Sequence, residues 1–92
     1  MKTWPVALAD ALEALLEGRL TPEEFRRAYP IQTASTEIGT LLANIEHFLS
    51  DADIRARDPR YKAMQEVAIE RMITALRAGD VDAAGGISLL GR

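Results

Sequence analysis

The chain is 92 residues long, carries a formal net charge of -3 and contains no cysteine. A chain of this length predicts one domain with a modest core, since domains usually have roughly 100 to 150 residues. The absence of cysteine excludes disulfides, thiol catalysis and thiolate metal sites, and it fits a reducing, cytoplasmic location. No export signal is expected, and no apolar run approaches the roughly 18 residues that cross a bilayer, so no membrane partner is predicted.

The acidic residues are concentrated in the first part of the chain. Residues 1–54 contain nine acids and four bases, whereas residues 55–92 contain five acids and seven bases. Nucleic acids need a basic surface that displaces their counterions, so the acidic character of residues 1–54 argues against a nucleic-acid partner. The same excess of acids favours a basic protein as the partner.

The first two helices are predicted from apolar spacing and from the residues at their ends. Leucines at helical spacing follow Pro5, and a glycine stands where the pattern stops, so the first helix is predicted over 5–17. The second helix begins with Thr21 as N-cap, and Glu24 is placed to complete a capping box. Pro30 ends this helix because the residue before a proline avoids helical backbone angles.

Two longer helices are predicted further along the chain. The third spans 36–50, where apolar residues recur every three or four positions. The fourth has Asp58 as its cap and Pro59 at its first helical position, and it ends near Gly79. Val67 widens its apolar stripe, as is typical of a helix packed between two neighbours. The residues expected in the core are Leu8, Leu12, Leu15, Leu16, Phe25, Ile38, Leu41, Leu42, Ile45, Phe48, Leu49, Tyr61, Met64, Ala68, Ile69, Met72, Ile73 and Leu76.

These elements predict an all-α, single-domain fold, an antiparallel four-helix bundle over residues 1–80. A glycine-rich tail follows over 81–92, in which Gly85 and Gly86 are expected to break any helix. The tail is predicted either to dock on the bundle or to be disordered. No period-two pattern indicates a strand.

No catalytic or metal-binding motif is present. His47 is the only histidine, and Asp51 follows it at one helical turn. Zinc requires at least three protein ligands, and acid–base catalysis requires an oriented partner in a pocket, so this pair favours neither. No serine or threonine lies in a nucleophile motif. The sequence therefore predicts a protein that is not an enzyme and that needs neither a metal nor a cofactor.

A basic cluster follows the third helix. It consists of Arg55, Arg57, Arg60 and Lys62. A phosphate-binding strip would need aromatic stacking platforms, and Tyr61 is the only aromatic residue among these bases. Neutralisation by nearby acids, such as Asp53 and Asp58, is the favoured interpretation.

The acids near the end of the third helix stand out more. Glu46 is predicted to face away from the apolar stripe, and Asp51 and Asp53 fall at the carboxyl end of the helix. Carboxylates there oppose the partial negative charge of the helix end, at a cost of up to about 1 kcal/mol. Acids in a position that costs stability suggest a use in recognition. A second acidic stripe, Asp10, Glu13 and Glu17, is interpreted as the solvated face of the first helix.

Two segments of the chain resemble a known family. The run "EHFLSDAD", with Glu46, Asp51 and Asp53, and the earlier "LLEGRLTPEEFRRAYP" are similar to segments of the colicin D-type family of bacterial self-protective immunity proteins. The resemblance covers most of residues 8–76. Three features depart from the family pattern: the short linker over 31–35, the glycine-rich tail, and the pair Arg55 and Arg57, which the pattern does not place.

The resemblance implies a four-helix antitoxin that protects the producing cell from its own toxin. In this family the inhibitor covers the active site of an RNA-cleaving toxin with acids that stand in for RNA phosphates. By this resemblance Glu46 and Asp51 would face the catalytic basic residues of a cognate toxin, with Asp53 nearby. The expected assembly is a one-to-one complex formed by a monomer or weak homodimer.

The alternative is a helical interaction module that self-associates or docks on a larger complex. Its interface would consist of Leu89 and Leu90 in the tail together with the wide apolar face of the fourth helix.

Overall fold

The computed structural model describes residues 3–33, 35–87 and 89 of the chain. These residues form an all-helical fold, which confirms the predicted class, and no strand occurs in these three ranges. The elements in chain order are α1 Trp4–Leu16, α2 Pro22–Ala28, a 3-10 turn Ile31–Thr33, α3 Thr36–Ser50, α4 Ala52–Arg57, α5 Pro59–Arg77 and α6 Val81–Gly85.

Side-chain caps fix where the helices begin. Thr21 and Glu24 form the predicted capping box at the start of α2, each accepting a hydrogen bond from the other's backbone N–H. Asp58 accepts from the N–H groups of Arg60 and Tyr61, at 3.0 and 3.1 Å, and so caps α5. These bonds satisfy donors that have no partner within the helix, and the predicted starts of α2 and α5 follow from them.

The core lies between α1, α3 and α5 and is completed by α6, Ile87 and Leu89. Most of the predicted stripes are buried, but Ala84 and Leu89, which were not among the predicted core residues, are also fully buried. Val67 is 47% exposed, so it does not widen the buried face of α5 as expected. The fully buried large apolar side chains are Leu8, Leu12, Leu41, Ile45, Ile69, Met72, Leu76 and Leu89.

Two short helices were not predicted. The segment after α3 was expected to be a loop, yet Ala52–Arg57 forms α4, none of whose residues is buried. The second short helix precedes the two glycines that were expected to break a helix, and it ends at the first of them. Asp80 accepts a hydrogen bond from the N–H of Ala83 and caps α6, which runs to Gly85.

Residues 87 and 89, which follow α6, are held against α3 and α5 by two side chains. Asn44 on α3 donates to the backbone carbonyl of Ile87, and Gln65 on α5 donates to that of Leu89 at 2.9 Å. This part of the tail is therefore docked. Leu90, which the alternative interpretation used as an interface residue, lies outside the described residues.

None of the helices in the described part of the chain is both long enough and apolar enough to cross a membrane.

Replacing Ile45 by alanine tests the core. Ile45 is fully buried, so Ile45→Ala should lower the free energy of unfolding by roughly 2 to 5 kcal/mol through cavity formation. The matched control is Ile54→Ala on α4, where the isoleucine is 36% exposed and the loss should stay below about 1 kcal/mol. Urea unfolding measures both, and equal losses in the two variants would contradict this packing.

Candidate functional site

The three predicted site residues lie where α3 passes into α4. Glu46 is in the last part of α3, Asp51 is both the C-cap of α3 and the N-cap of α4, and Asp53 is in the first turn of α4. They follow each other along the chain, but no hydrogen bond or ion pair joins one of them to another within the described residues. Each contacts a different set of partners.

Glu46 is paired with an arginine from α2. Arg26 donates from Nε to both carboxylate oxygens at 3.2 Å and from Nη2 to Oε1 at 2.7 Å. Ser50 donates to Oε1 at 3.2 Å. The hydrogen bond and charge of Arg26 lower the pKa of Glu46, against the opposing effect of burial. Because the two side chains are 42% and 44% exposed, the pair is partly screened and contributes no more than about 1 kcal/mol.

Two side chains of α5 hold the carboxylate of Asp51 in place. Its Oδ2 accepts a hydrogen bond from the Tyr61 hydroxyl at 2.5 Å and another from Gln65 Nε2 at 3.1 Å. The bond to Asp51 raises the pKa of Tyr61, since the phenol gives up its proton less readily beside a carboxylate. The carboxylate of Asp51 therefore has a fixed position at the α3–α4 junction.

Gln65 organises this junction and is fully buried. Its Nε2 lies within hydrogen-bonding distance of Asp51 Oδ2, the Tyr61 hydroxyl at 3.1 Å and the Leu89 carbonyl, so two hydrogens serve three acceptors. Its Oε1 accepts from Arg55 Nη1 at 2.7 Å. No buried side-chain polar atom among the described residues is left without a partner, which is the condition for a stable polar group in a core.

The side chain of Arg55 points towards α3 and α5. Its guanidinium carbon lies 3.8 Å from the centroid of the Phe48 ring, and Nη1 also donates to the Phe48 carbonyl. Burial lowers the pKa of Arg55, and the charge of Asp51 opposes this effect. Arg55 is thus a structural residue that joins α4 to α3 and α5.

Asp53 is the most exposed of the three acids. Its carboxylate lies 3.8 Å from Arg57 Nη2, and both side chains are more than three-quarters exposed, at 77% and 76%. The sequence-based argument that Asp53 opposes the dipole of α3 is wrong, because Asp53 belongs to the first turn of α4, where a carboxylate is favourable. Its position therefore carries no stability cost that recognition would have to explain.

Gln65 and Arg26 were not among the predicted site residues. Gln65 lies four residues after Tyr61 and four before Ile69, on the inward stripe of α5, and a polar residue in that register is a signal for a buried network. Arg26 gave no comparable signal, since its bond to Glu46 spans 20 residues of sequence.

The acidic stripe of α1 is bridged by a base from α5. Arg77 donates to Asp10 at 3.0 Å and also to Glu13, so these acids are not simply solvated as expected. A shallow groove of about 750 Å³ between α1 and α5 is lined by four carboxylates, including that of Glu13. The acids on its walls are Glu13, Glu17, Glu66 and Glu70.

Within the described residues no group of three or more His, Asp or Glu side chains could hold a metal ion. His47 is exposed on α3. The chain was also compared with models of known protein families, with curated proteins and with solved structures, and none of the three comparisons found a match.

Replacing Gln65 tests the junction. Gln65→Leu keeps a side chain of similar size but removes one acceptor of Arg55 and the side-chain donor to the Leu89 carbonyl, so it should cost roughly 1 to 3 kcal/mol of unfolding free energy. Hydrogen exchange should also become faster at residues 87 and 89. The control is Gln32→Leu, since Gln32 is exposed. An unchanged stability in Gln65→Leu would show that the network does not hold the junction.

The ion pair between Glu46 and Arg26 predicts a pH dependence. The pKa of Glu46 lies below its ordinary 4.5, so the stabilisation is complete above pH 4.5 and is lost as the pH falls through the lower folded-state value. Arg26→Ala should return the pKa of Glu46 towards 4.5, as measured by carboxyl NMR titration. Arg27→Ala is the control and should leave this pKa unchanged. The same Glu46 titration in wild type and Arg26→Ala would contradict the pairing.

Proposed function

We propose that this chain is an immunity-type protein, a non-enzymatic inhibitor that binds a cognate toxin one-to-one in the cytoplasm of the cell that produces it. The toxin domain is basic and cleaves RNA, and acids around the α3–α4 junction occupy its active site in place of substrate phosphates. In this proposal α1, α2, α3 and α5 act as an antiparallel four-helix bundle, and α4 and α6 complete it.

The observation that carries the proposal is the fixed carboxylate of Asp51. Tyr61 and the buried Gln65 hold its Oδ2, so little side-chain entropy is lost when a partner binds it. Groups held by packed neighbours before binding are those that give specific recognition. Asp51 is therefore proposed as the centre of the interface.

Glu46 and Asp53 extend this surface, but each already has an arginine partner. Both ion pairs are exposed, and such pairs are worth roughly 0 to 1 kcal/mol. A desolvated pair with a partner's base is worth more, about 1.5 kcal/mol or above. We propose that Glu46 and Asp53 exchange Arg26 and Arg57 for bases of the toxin on binding.

A second candidate is a helical module that docks through the exposed side of α5. One observation favours it, a shallow groove of about 640 Å³ that includes Val67, Met64 and Ile87. Leu89 takes no part in such an interface because it is fully buried. An obligate dimer in dilute solution, with no toxin bound, would favour this module over the immunity function.

The test of the immunity function is co-expression with the protein encoded by the adjacent gene. The chain should rescue growth and co-purify with that protein as a one-to-one complex. The triple variant Glu46→Gln, Asp51→Asn and Asp53→Asn removes three charges and keeps an acceptor oxygen at residue 51 for its donors Tyr61 and Gln65. It should raise the dissociation constant by roughly tenfold or more.

The control triple variant is Glu23→Gln, Glu70→Gln and Asp82→Asn, which changes the net charge equally at exposed positions elsewhere. At physiological ionic strength it should leave the affinity nearly unchanged, and it should slow association only at low ionic strength. A dissociation constant that stays within about twofold of wild type in the first triple variant would place the interface elsewhere.

A further inference from the structure

A small cleft between α2 and α3 lies beside Glu46. It has a volume of about 270 Å³, and the 3-10 turn forms part of its wall. Its apolar lining consists of Phe25, Tyr29, Ile31, Leu42 and Leu49. The rings of Phe25 and Tyr29 stack with centroids 5.2 Å apart, and Ile31 is 42% exposed. The side chain of Ile31 is thus partly exposed to water at the edge of a cleft whose wall contains two stacked aromatic rings.

The same cleft is lined by the two charged groups of the α2–α3 ion pair, Arg26 and Glu46. The guanidinium of Arg26 reaches both oxygens of Glu46, so the carboxylate is already oriented for a planar, two-pronged donor. Apolar walls next to a carboxylate with this geometry are complementary to an apolar side chain that is adjacent to an arginine.

We propose that this cleft takes an aromatic or large aliphatic anchor side chain of the basic protein partner, while a neighbouring arginine of that partner replaces Arg26 on Glu46. The inference rests on the proposed function and names the chemistry of the partner segment. Interfaces draw most of their binding energy from a few such anchors, which fill pockets next to arginine contacts. Arg26 is then an internal competitor that covers Glu46 until the partner displaces it.

The dimensions of the cleft favour one side chain over a metabolite. Small-molecule sites usually measure about 300 to 1,000 Å³ and bury several polar groups around the ligand. This cleft is smaller, and its charged groups are both partly exposed. Arg26, the basic residue that lines the cleft, is already paired with the carboxylate of Glu46, so the cleft offers no unpaired base to the phosphate of a nucleotide or nucleic acid.

The test uses the peptide acetyl-Arg-Phe-Gly-amide as the probe, titrated into the ¹⁵N-labelled full chain. Binding should be weak, with a dissociation constant of about 1 mM or above, because only one anchor and one ion pair are formed. Backbone shifts should change at Phe25, Ile31 and Leu42. Acetyl-Arg-Gly-Gly-amide, which lacks the anchor, should cause no such change.

Substitutions distinguish Arg26, the internal competitor, from Ile31 and Glu46, which would bind the peptide. Arg26→Ala should tighten peptide binding roughly two- to fivefold, the range that an exposed ion pair is worth. Ile31→Ser and Glu46→Gln should each weaken it at least about twofold. The matched controls are Arg27→Ala on the same helix and Ile54→Ser at another exposed isoleucine, and neither should change the affinity.

The inference is overturned if the shifts map away from the cleft, if both peptides give the same shifts, or if Arg26→Ala leaves the affinity unchanged. Its failure can be distinguished from failure of the proposed function. Peptide binding at the cleft without rescue in co-expression overturns the immunity function alone. Rescue of growth, together with a toxin affinity that neither Arg26→Ala nor Ile31→Ser changes, overturns the cleft as an anchor site.

Discussion

The buried amide of Gln65 joins four parts of the chain through hydrogen bonds. It contacts Asp51 at the end of α3, Arg55 on α4, Tyr61 on its own helix and the carbonyl of Leu89 after α6. A buried polar group is tolerated only when its bonding capacity is met, so these four groups must be present together. The course of the chain after α3 depends on this side chain, and the docking of residues 87 and 89 depends on it together with Asn44.

This network also divides the charges of the junction into inner and outer groups. Arg55 lies over Phe48, and the charge of Asp51 acts on it, so both inner groups are held by other parts of the chain. The outer acids, Glu46 and Asp53, are paired with arginines that remain in contact with water. The inner pair contributes a fixed position, and the outer pairs contribute charge that a partner can reach. A recognition surface needs both properties, because rigidity limits the entropy lost on binding and accessible charge speeds association.

Local signals in the sequence predicted the long helices well. The capping box of Thr21 and Glu24 and the cap at Asp58 are short-range interactions, so the starts of α2 and α5 could be predicted from neighbouring residues. α4 could not, because it buries none of its residues and has no apolar stripe to detect. α6 was missed because its cap, Asp80, was given less weight than the glycines that follow.

The candidate site shows the same division between short-range and long-range effects. The order of Glu46, Asp51 and Asp53 was evident from the sequence, but their partners were not. Periodicity treats Gln65 as an interruption of an apolar stripe, although its register places it in the core. The bond between Arg26 and Glu46 depends on how α2 packs against α3, which no local pattern encodes.

The most direct measurement of the central claim is hydrogen exchange of the chain alone and in complex with the protein encoded by the adjacent gene. If the α3–α4 junction is the binding surface, the complex should slow exchange at residues 46–55 and in α2, with little change in the exposed half of α5. Slower exchange around residues 63–71 and 83–87, with none at the junction, would contradict the account.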